Sequence, residues 1–285
     1  MMRIDSHHHV WDLAVREQDW MVGEALKPIS RTFTMADMDP LLEASSIDYT
    51  VIVQTVAVME ETPEFLTIAG SHPKVAAVVG WLDMEAEDIT GALESHLSHP
   101  EARRLVSIRD LAQYQEDPRW LMRPNIVRNV QRLGERGLSF DLLTLAPQLA
   151  AAVDLVAACP DTQFVLDHIS KPAIAKGEID TWTSDMKALG ALPNVVVKVS
   201  GMVTEAQWDN WTPETFRPYV DVVTENFGPQ RMMFGSDWPV CLLGGTYHEV
   251  VGIVETLTGD WSVAEKEALW STTAISAYRL GDLLS

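Results

Sequence analysis

The chain has 285 residues, 47% of them hydrophobic, which is enough to bury a large core. Its 41 acidic and 21 basic residues give a formal net charge of −20, the wrong sign for binding nucleic acid or an anionic membrane surface. No segment reaches the roughly 18 uncharged apolar residues needed to cross a bilayer, and the polar start predicts no signal peptide. Two isolated cysteines, Cys159 and Cys241, favour a reducing cytoplasm over a disulfide framework. We therefore expect a cytoplasmic protein, monomer or homodimer, whose partner is a small molecule.

Short segments rich in β-branched residues alternate with longer helical segments along the chain, the pattern of repeated strand–helix–strand units. Eight strands are predicted, at Arg3–His9, Tyr49–Thr55, Ala76–Leu82, Leu105–Ile108, Ser139–Leu143, Phe164–His168, Asn194–Ser200 and Met232–Ser236. Helices are predicted between and after them, at Met35–Ser45, Pro63–Ser71, Ala146–Ala158, Phe216–Phe227, Thr246–Leu257 and Val263–Tyr278. Several strands are continuous runs of valine and isoleucine, as expected for strands that are buried on both faces.

This alternation predicts an α/β fold, a (β/α)8 TIM-like barrel that forms a single domain over residues 1–285. The alternative is an open, doubly wound sheet. That fold normally has fewer strands and often carries a glycine-rich phosphate loop, and the sequence contains neither GxGxxG nor GxxxxGK followed by serine or threonine. The barrel is therefore the favoured fold.

Polar side chains stand at the ends of the first and last predicted strands. His7 and His9 lie two residues apart on the first strand, so they point to one side, roughly 7 Å apart, while His8 points to the other. Asp237 directly follows the eighth strand. In a closed barrel the first and last strands are neighbours and catalytic groups lie at the carboxyl ends, so these side chains are expected to meet. Two histidines at this spacing can bind a zinc-sized ion or orient a carbonyl, although an affinity-tag remnant is an alternative origin of the triplet.

His168 and Arg109 extend this candidate site. His168 ends the sixth predicted strand, where a role in metal binding or proton transfer is favoured over a structural one. Arg109 follows the fourth strand and can hold a carbonyl or carboxylate oxygen. An ion pair between Arg109 and a nearby carboxylate, such as Asp110 or Asp141, is an equally good interpretation.

Other residues near predicted strand ends are candidates for substrate contact: Trp11, Glu61, Lys198 and His248. Tryptophan faces stack on sugar rings, although packing in the core is their default role. For His248, substrate contact and a structural role are evenly balanced. The remaining histidines, His72, His96 and His99, are predicted to lie at the surface.

A set of sequence stretches, in order over nearly the whole chain, matches a known family. The stretches are Ile4–Asp12, Val51–Thr62, Val79–Asp83, Ser107–Arg109, Asp117–Leu121, Gly137–Leu142, Phe164–Pro172, Lys198–Gly201 and Phe234–Cys241. They resemble the amidohydrolase-related (amidohydrolase 2) family of the amidohydrolase superfamily, and within it the sugar-lactonase subgroup of the L-fuconolactonase and L-rhamnonolactonase type. The resemblance implies a distorted (β/α)8 barrel that hydrolyses esters or lactones.

The resemblance also implies a set of metal ligands, matched residue by residue: His7, His9, His168 and Asp237. Superfamily members with two metals use a carboxylated lysine on strand four and a histidine on strand five. Here strand four reads Leu-Val-Ser-Ile-Arg-Asp and strand five Leu-Ser-Phe-Asp-Leu-Leu, which lack both. The resemblance therefore implies one divalent metal, with zinc the first choice, or none. Relatives often carry a histidine directly after the strand-four arginine, where this chain has Asp110, so the identity of the sugar stays open.

The expected reaction is hydrolysis of a neutral sugar-acid lactone, of the L-fucono- or L-rhamnono-lactone type, to the aldonic acid. Asp237 acts as general base on water, while His168, Arg109 and the other histidines polarise the carbonyl, with or without a metal.

Two other functions are alternatives for such a barrel. A related barrel decarboxylase or pyrone-dicarboxylate hydrolase needs several cations for its anionic substrate, and the mouth offers mainly Arg109, Lys171 and Lys198. A catalytically inactive barrel that serves as a binding module has no reason to retain the His-x-His pair and Asp237.

Overall fold

Eight parallel strands form one sheet that follows the order of the chain. The computed structural model describes residues 1–284, so Ser285, the last residue of the predicted domain, lies outside the described residues. The strands are β1 (Ile4–His8), β2 (Tyr49–Val53), β3 (Val75–Gly80), β4 (Leu105–Asp110), β5 (Ser139–Leu142), β6 (Phe164–Leu166), β7 (Val195–Val199) and β8 (Met232–Phe234). Each pairs in parallel with the next, from β1 to β8. The predicted (β/α)8 barrel is confirmed.

The barrel closes through the residues that follow β8. His8 of β1 forms a parallel bridge with Trp238. The backbone N–H of His9 donates to the carbonyl of Trp238 at 2.7 Å, and the N–H of Asp237 donates to the carbonyl of His7 at 2.8 Å. Because these bonds join the carboxyl ends of the first and last strands, they bring the backbone of Asp237 beside the histidine pair.

Eleven α-helices accompany the strands in residues 1–284, and none of them is long and apolar enough to cross a membrane. They are α1 (Met35–Ala44), α2 (Glu61–Ser71), α3 (Thr90–Leu97), α4 (Pro124–Glu135), α5 (Leu149–Ala158), α6 (Asp180–Gly190), α7 (Met202–Glu205), α8 (Pro213–Phe227), α9 (Tyr247–Leu257), α10 (Val263–Glu267) and α11 (Thr273–Ala277). The last predicted helix is interrupted by a π-helical turn at Ala268–Thr272.

The helix prediction was incomplete, since α3, α4, α6 and α7 were not foreseen. Helix α4 had a readable signal: Pro124 occupies its first position, and Ile126, Val130 and Leu133 recur on one buried face. Because α4 also contains many polar residues, its overall hydrophobicity is low, and the apolar face is hard to recognise in the sequence.

The C-terminal segment packs against the barrel interior. A buried cluster joins interior valines of the strands to Ala277, Tyr278 and Leu280. Ser139, the first residue of β5, donates a hydrogen bond to the carbonyl of Ala277 at 2.8 Å. The hydroxyl of Tyr278 donates to Asp141 Oδ2 at 2.6 Å. The segment therefore both fills the barrel and supplies a donor to a buried carboxylate.

We predict that Tyr278→Phe lowers the free energy of unfolding by about 1 to 3 kcal/mol, because the ring still fills its space while Asp141 loses a donor. Urea denaturation measures the change. The matched control is Tyr114→Phe, since Tyr114 is 56% exposed and its hydroxyl serves no buried carboxylate. Equal stability of Tyr278→Phe and wild type would show that the hydroxyl contributes nothing to the fold.

Candidate active site

The end of β1 carries two imidazoles that face each other. The Nε2 atoms of His7 and His9 lie 3.2 Å apart, and the rings meet edge to face. Both side chains are buried. His8 points to the opposite side, as predicted, where its Nε2 lies 3.0 Å from Thr50 Oγ1. The alternation along the strand thus separates a pair of site histidines from a packing histidine.

Asp237 reaches the same point from the end of β8. Its Oδ1 lies 3.4 Å from the Nε2 of His9, 3.8 Å from that of His7 and 3.7 Å from that of His168. Its backbone is left-handed, with φ 58°. The structure therefore brings together the four side chains that the sequence singled out on strands one, six and eight.

His168 lies on a left-handed turn rather than on a strand. Strand β6 ends at Leu166, two residues earlier than predicted, and His168 to Lys171 have φ values of 53°, 47°, 59° and 46°. Each L-residue in this region costs roughly 1–2 kcal/mol. The turn is held by Trp182, whose Nε1 donates to the carbonyl of Ile169 at 2.8 Å. Strain of this kind persists only where the surroundings impose it, and it is typical of functional sites.

A layer of buried charge lies directly behind His7. The ammonium of Lys198, with no exposure, contacts Asp141 Oδ2 at 2.7 Å and Asp167 Oδ1 at 2.9 Å. Asp167 Oδ2 accepts from Arg109 Nη1 at 3.0 Å. The same Arg109 nitrogen lies 3.4 Å from His7 Nε2. Two cations and two carboxylates therefore balance each other beneath the imidazoles.

The site histidines are neutral at neutral pH, whereas Asp167 and Asp237 are charged. Burial lowers the pKa of His168 to about 4 and holds the pKa of His7 well below its usual value. Burial alone would raise the pKa of Asp167, but Lys198 and His7 outweigh it and hold that pKa well below its usual range. Burial likewise opposes the ionisation of Asp237, yet His168 and His9 leave its pKa lowered. Neutral imidazoles and a carboxylate are the forms that bind metals.

His7 has a partner for either tautomer. His9 donates from Nδ1 to the carbonyl of Val53 at 2.8 Å, which leaves the Nε2 lone pair of neutral His9 free. If Lys198 donates to His7 Nδ1 (3.2 Å), the Nε2–H of His7 can donate to His9. If His7 instead donates from Nδ1 to Asp167 Oδ1 (3.3 Å), its Nε2 becomes free to bind a metal. The surroundings of His7 therefore suit both a metal-free and a metal-bound site.

Three side chains have the geometry of a metal-binding cluster: His7, His168 and Asp237, whose ligand atoms all lie within 4.8 Å of one another. The Nδ1 of His168 lies 2.9 Å from Ser200 Oγ, an outer contact that orients the ring and directs Nε2 to the site. The donor set of two imidazoles and a carboxylate is one that zinc uses in catalytic sites. The residues therefore fit one zinc-sized ion.

A cavity opens onto this cluster, with an empty volume of about 490 Å³ that includes open solvent. His9, Arg109, His168 and Asp237 form its reactive part. The rest of the wall combines polar and apolar side chains from the loops that follow the strands: Trp20, Thr55, Leu111, Gln113, Tyr114, Leu143, Lys171 and Val240. His7 lies behind this wall with no exposure.

Four predicted substrate contacts lie off this cavity. Trp11 is buried against Trp20 and Phe33. Lys198 lies behind the site in the charge layer described above. His248 is exposed on α9. Glu61 is buried at the start of α2, where it accepts from the backbone N–H of Thr55 at 2.7 Å and from the Thr55 hydroxyl.

The structure also shows the surroundings of Asp110 and His96. Asp110, which stands where relatives often carry histidine, accepts from Trp81 Nε1 at 3.0 Å and from the N–H of Met84 at 3.1 Å. It therefore ties the loop after β3 to β4. His96 was predicted at the surface, which was wrong: it is 3% exposed, and its Nε2 lies 3.1 Å from the carbonyl of Trp81.

The sequence reading missed the site roles of Asp167 and of the wall residues Thr55, Gln113 and Tyr114. Asp167 directly precedes His168, so the Asp-His pair was a signal that could have been read. The wall residues lie in irregular loops after β2 and β4, and no periodic pattern marks them.

Comparison with known proteins agrees with this geometry. A family model described as amidohydrolase matches residues 4–280. The chain belongs to the amidohydrolase family. It is 34% identical to an L-fucono-1,5-lactonase of Burkholderia multivorans, over 98% of this chain and 96% of the relative.

Solved structures give the same result. A crystal structure of an amidohydrolase from Burkholderia multivorans with zinc bound is 33% identical, with a TM-score of 0.91 over 98% of this chain and 99% of that one. A probable 2-pyrone-4,6-dicarboxylic acid hydrolase from Acinetobacter baumannii, with citric acid bound, covers 98% of this chain and 100% of its own at a TM-score of 0.75. Its identity is 16%, so it shares the fold alone.

Gly201 provides a test of how tightly His168 is held. An added Cβ at Gly201 would lie 2.7 Å from Cγ and 2.8 Å from Nδ1 of His168, and Gly201 has φ 63°. Gly177 has φ 68° but nothing within 4 Å, so it is a matched control. We predict that Gly177→Ala destabilises by about 1 kcal/mol, and that Gly201→Ala costs a further 1 to 3 kcal/mol, roughly, from the clash.

Urea denaturation of both variants measures this difference. The same loss of stability in Gly201→Ala and Gly177→Ala would mean that the His168 ring moves aside freely and is not fixed by its surroundings.

Proposed function

We propose that this amidohydrolase hydrolyses a neutral sugar-acid lactone of the L-fucono-1,5-lactone type to the aldonic acid. The observation that carries the proposal is the single cavity onto which Asp237, His168, His9 and Arg109 all open. A buried carboxylate beside neutral imidazoles and a guanidinium is suited to activating water against a carbonyl. The L-fucono-1,5-lactonase relative supports the choice of a lactone as substrate.

Asp237 is the general base in this proposal. It removes a proton from water, and the hydroxide formed attacks the lactone carbonyl. Arg109 lines the cavity, and its buried Nε–H has no hydrogen-bond partner among residues 1–284. This permanent cation stabilises the oxyanion, an effect worth about 10²–10³ in rate per well-placed donor. Asp237 then returns the proton to the ring oxygen as the acyl–oxygen bond breaks, which leaves a hydroxyl and a carboxylic acid that loses its proton to solvent.

The lowered pKa of Asp237 makes it a weak base, so the water needs further activation. His7, His168 and Asp237 would hold one zinc-sized ion, with His9 beside them. Such an ion lowers the pKa of bound water and polarises a carbonyl. The zinc-bound crystal structure of the amidohydrolase from Burkholderia multivorans supports this assignment.

The alternative substrates, dicarboxylated pyrones or aromatic acids for decarboxylation, fit the cavity less well. Each is an anion, whereas the charge of Arg109 is already balanced by Asp167 and Asp237 adds a negative charge to the wall. Of the three cations predicted near the mouth, Arg109 and Lys171 line the cavity, while Lys198 is fully buried between Asp141 and Asp167. A neutral lactone needs no more cations than these.

The substrate class is tested by following acid release from a panel of sugar-acid 1,4- and 1,5-lactones and of dicarboxylated pyrones, with the chemical background subtracted. We expect turnover of one or more sugar lactones and none of the dicarboxylates. Turnover of the dicarboxylates alone would overturn the proposal.

We predict that Asp237→Asn lowers kcat by about 10²–10⁴, the usual contribution of a positioned base, without unfolding the protein. The control is Asp19→Asn, which removes the same charge from an exposed position near the mouth. Circular dichroism checks the fold of both variants. If Asp237→Asn retains more than about a tenth of the wild-type kcat, Asp237 is not the base.

Metal binding is tested without reference to activity, by titrating zinc into the metal-stripped protein in a calorimeter. We predict one zinc per chain, and a loss of affinity above about 100-fold in His168→Ala, because even outer-shell partners contribute 10- to 100-fold. His72→Ala is the control, since His72 pairs with Asp39 away from the site. Equal affinity in His168→Ala and wild type would remove His168 as a ligand.

A further inference from the structure

The cavity contains a second polar pair besides its reactive part. Lys171 and Gln113 both line it, and the ammonium of Lys171 donates to Gln113 Oε1 at 2.8 Å. We propose that this pair binds hydroxyl groups of the sugar ring and so makes the enzyme select hydroxylated lactones over plain ones. The inference rests on the proposed lactone hydrolysis and adds the residues that determine its specificity.

The backbone of Lys171 is fixed by the turn that also carries His168. The N–H of Lys171 donates to the carbonyl of His168 at 2.8 Å. Between them, Ile169 and Ser170 are buried, and Ser170 Oγ lies 2.7 Å from Thr144 Oγ1. A substrate held by Lys171 is therefore held at a set position relative to the imidazole of His168.

The charge of Lys171 has no direct counterion. Within residues 1–284, no carboxylate oxygen lies within 4 Å of its ammonium, although the protein carries a net charge of −20. The charge of Lys171 favours the ionised forms of Asp237 and Glu205 only from a distance beyond 4 Å. Of the three donors of an ammonium, one is used by the neutral amide of Gln113, which leaves donors for a ligand.

Ring hydroxyls are the groups that distinguish a sugar lactone from a plain lactone of the same ring size. A hydroxyl oxygen accepts from an ammonium, and hydrogen bonds to charged groups are stronger than neutral ones. A plain lactone would leave the Lys171 donors unpaired in a partly desolvated wall. Sites built to pair a hydroxyl discriminate strongly against analogues that lack it.

Lys171→Met tests the proposal, with Gln113→Leu as a second variant. The control is Lys176→Met, which removes the same charge from an exposed position five residues further along the chain and off the cavity. For each protein, kcat/KM is measured on L-fucono-1,5-lactone and on δ-valerolactone, a six-membered lactone without hydroxyls. Thermal unfolding confirms that the variants fold.

We expect Lys171→Met to lower kcat/KM for the sugar lactone by about 10- to 100-fold more than that for δ-valerolactone. Gln113→Leu should act in the same direction with a smaller effect, and Lys176→Met should match wild type. If Lys171→Met fails to fold, the same comparison is made with Gln113→Leu.

The two ways of failing are distinct. Equal losses on both lactones, or no loss on either, would overturn the role of Lys171 in hydroxyl recognition while leaving lactone hydrolysis in place. A wild-type protein that hydrolyses neither these lactones nor any other sugar lactone would overturn the proposed function, and this inference with it.

Discussion

The arrangement of the site depends on one buried cation. Lys198 has no exposure, and its ammonium joins Asp141 on β5 to Asp167 at the end of β6. Isolated charges in a protein interior are costly, so this group is stable only because the carboxylates and Tyr278 complete its surroundings. Removal of one partner would leave the others uncompensated. The barrel interior therefore has a strong energetic preference for a single arrangement of these groups.

That arrangement determines the chemistry above it. Asp167 holds Arg109 through one oxygen and faces His7 with the other. Lys198 and Asp167 together offer His7 a partner in each tautomer. Asp237 and His168 both lie on strained, left-handed backbone. The reactive groups are thus positioned by rigid parts of the fold, while the cavity wall is built from loops that can vary between relatives without disturbing the site.

The sequence predicted the strands of the barrel and the residues at their ends better than the loops that form the cavity wall. Parallel strands in chain order make β1 and β8 neighbours, so the meeting of His7, His9 and Asp237 followed from topology alone. The turn at His168 could not be read, because its left-handed residues are imposed by tertiary contacts against their own preferences. The position of Trp11 off the cavity could not be read for a related reason. A local sequence pattern indicates where a strand ends but not the direction in which an irregular loop points its side chains.

The buried charge layer shows a similar limit to what the sequence can predict. Lys198 was recognised as a strand residue of possible function, and its position on a strand that ends at the site suggested contact with substrate. Whether such a residue faces the cavity or lies beneath it depends on its depth along the barrel axis, and pairing register determines that depth. The alternation of strand residues gives the direction of a side chain but not its height.

The most direct test of the whole account is a crystal structure of the Asp237→Asn variant with L-fucono-1,5-lactone bound. The account predicts the lactone carbonyl among His9, His168, Arg109 and the carboxamide at position 237, with ring hydroxyls directed to Lys171 and Gln113. A lactone bound elsewhere, or in this cavity with its carbonyl turned away from position 237, would contradict it.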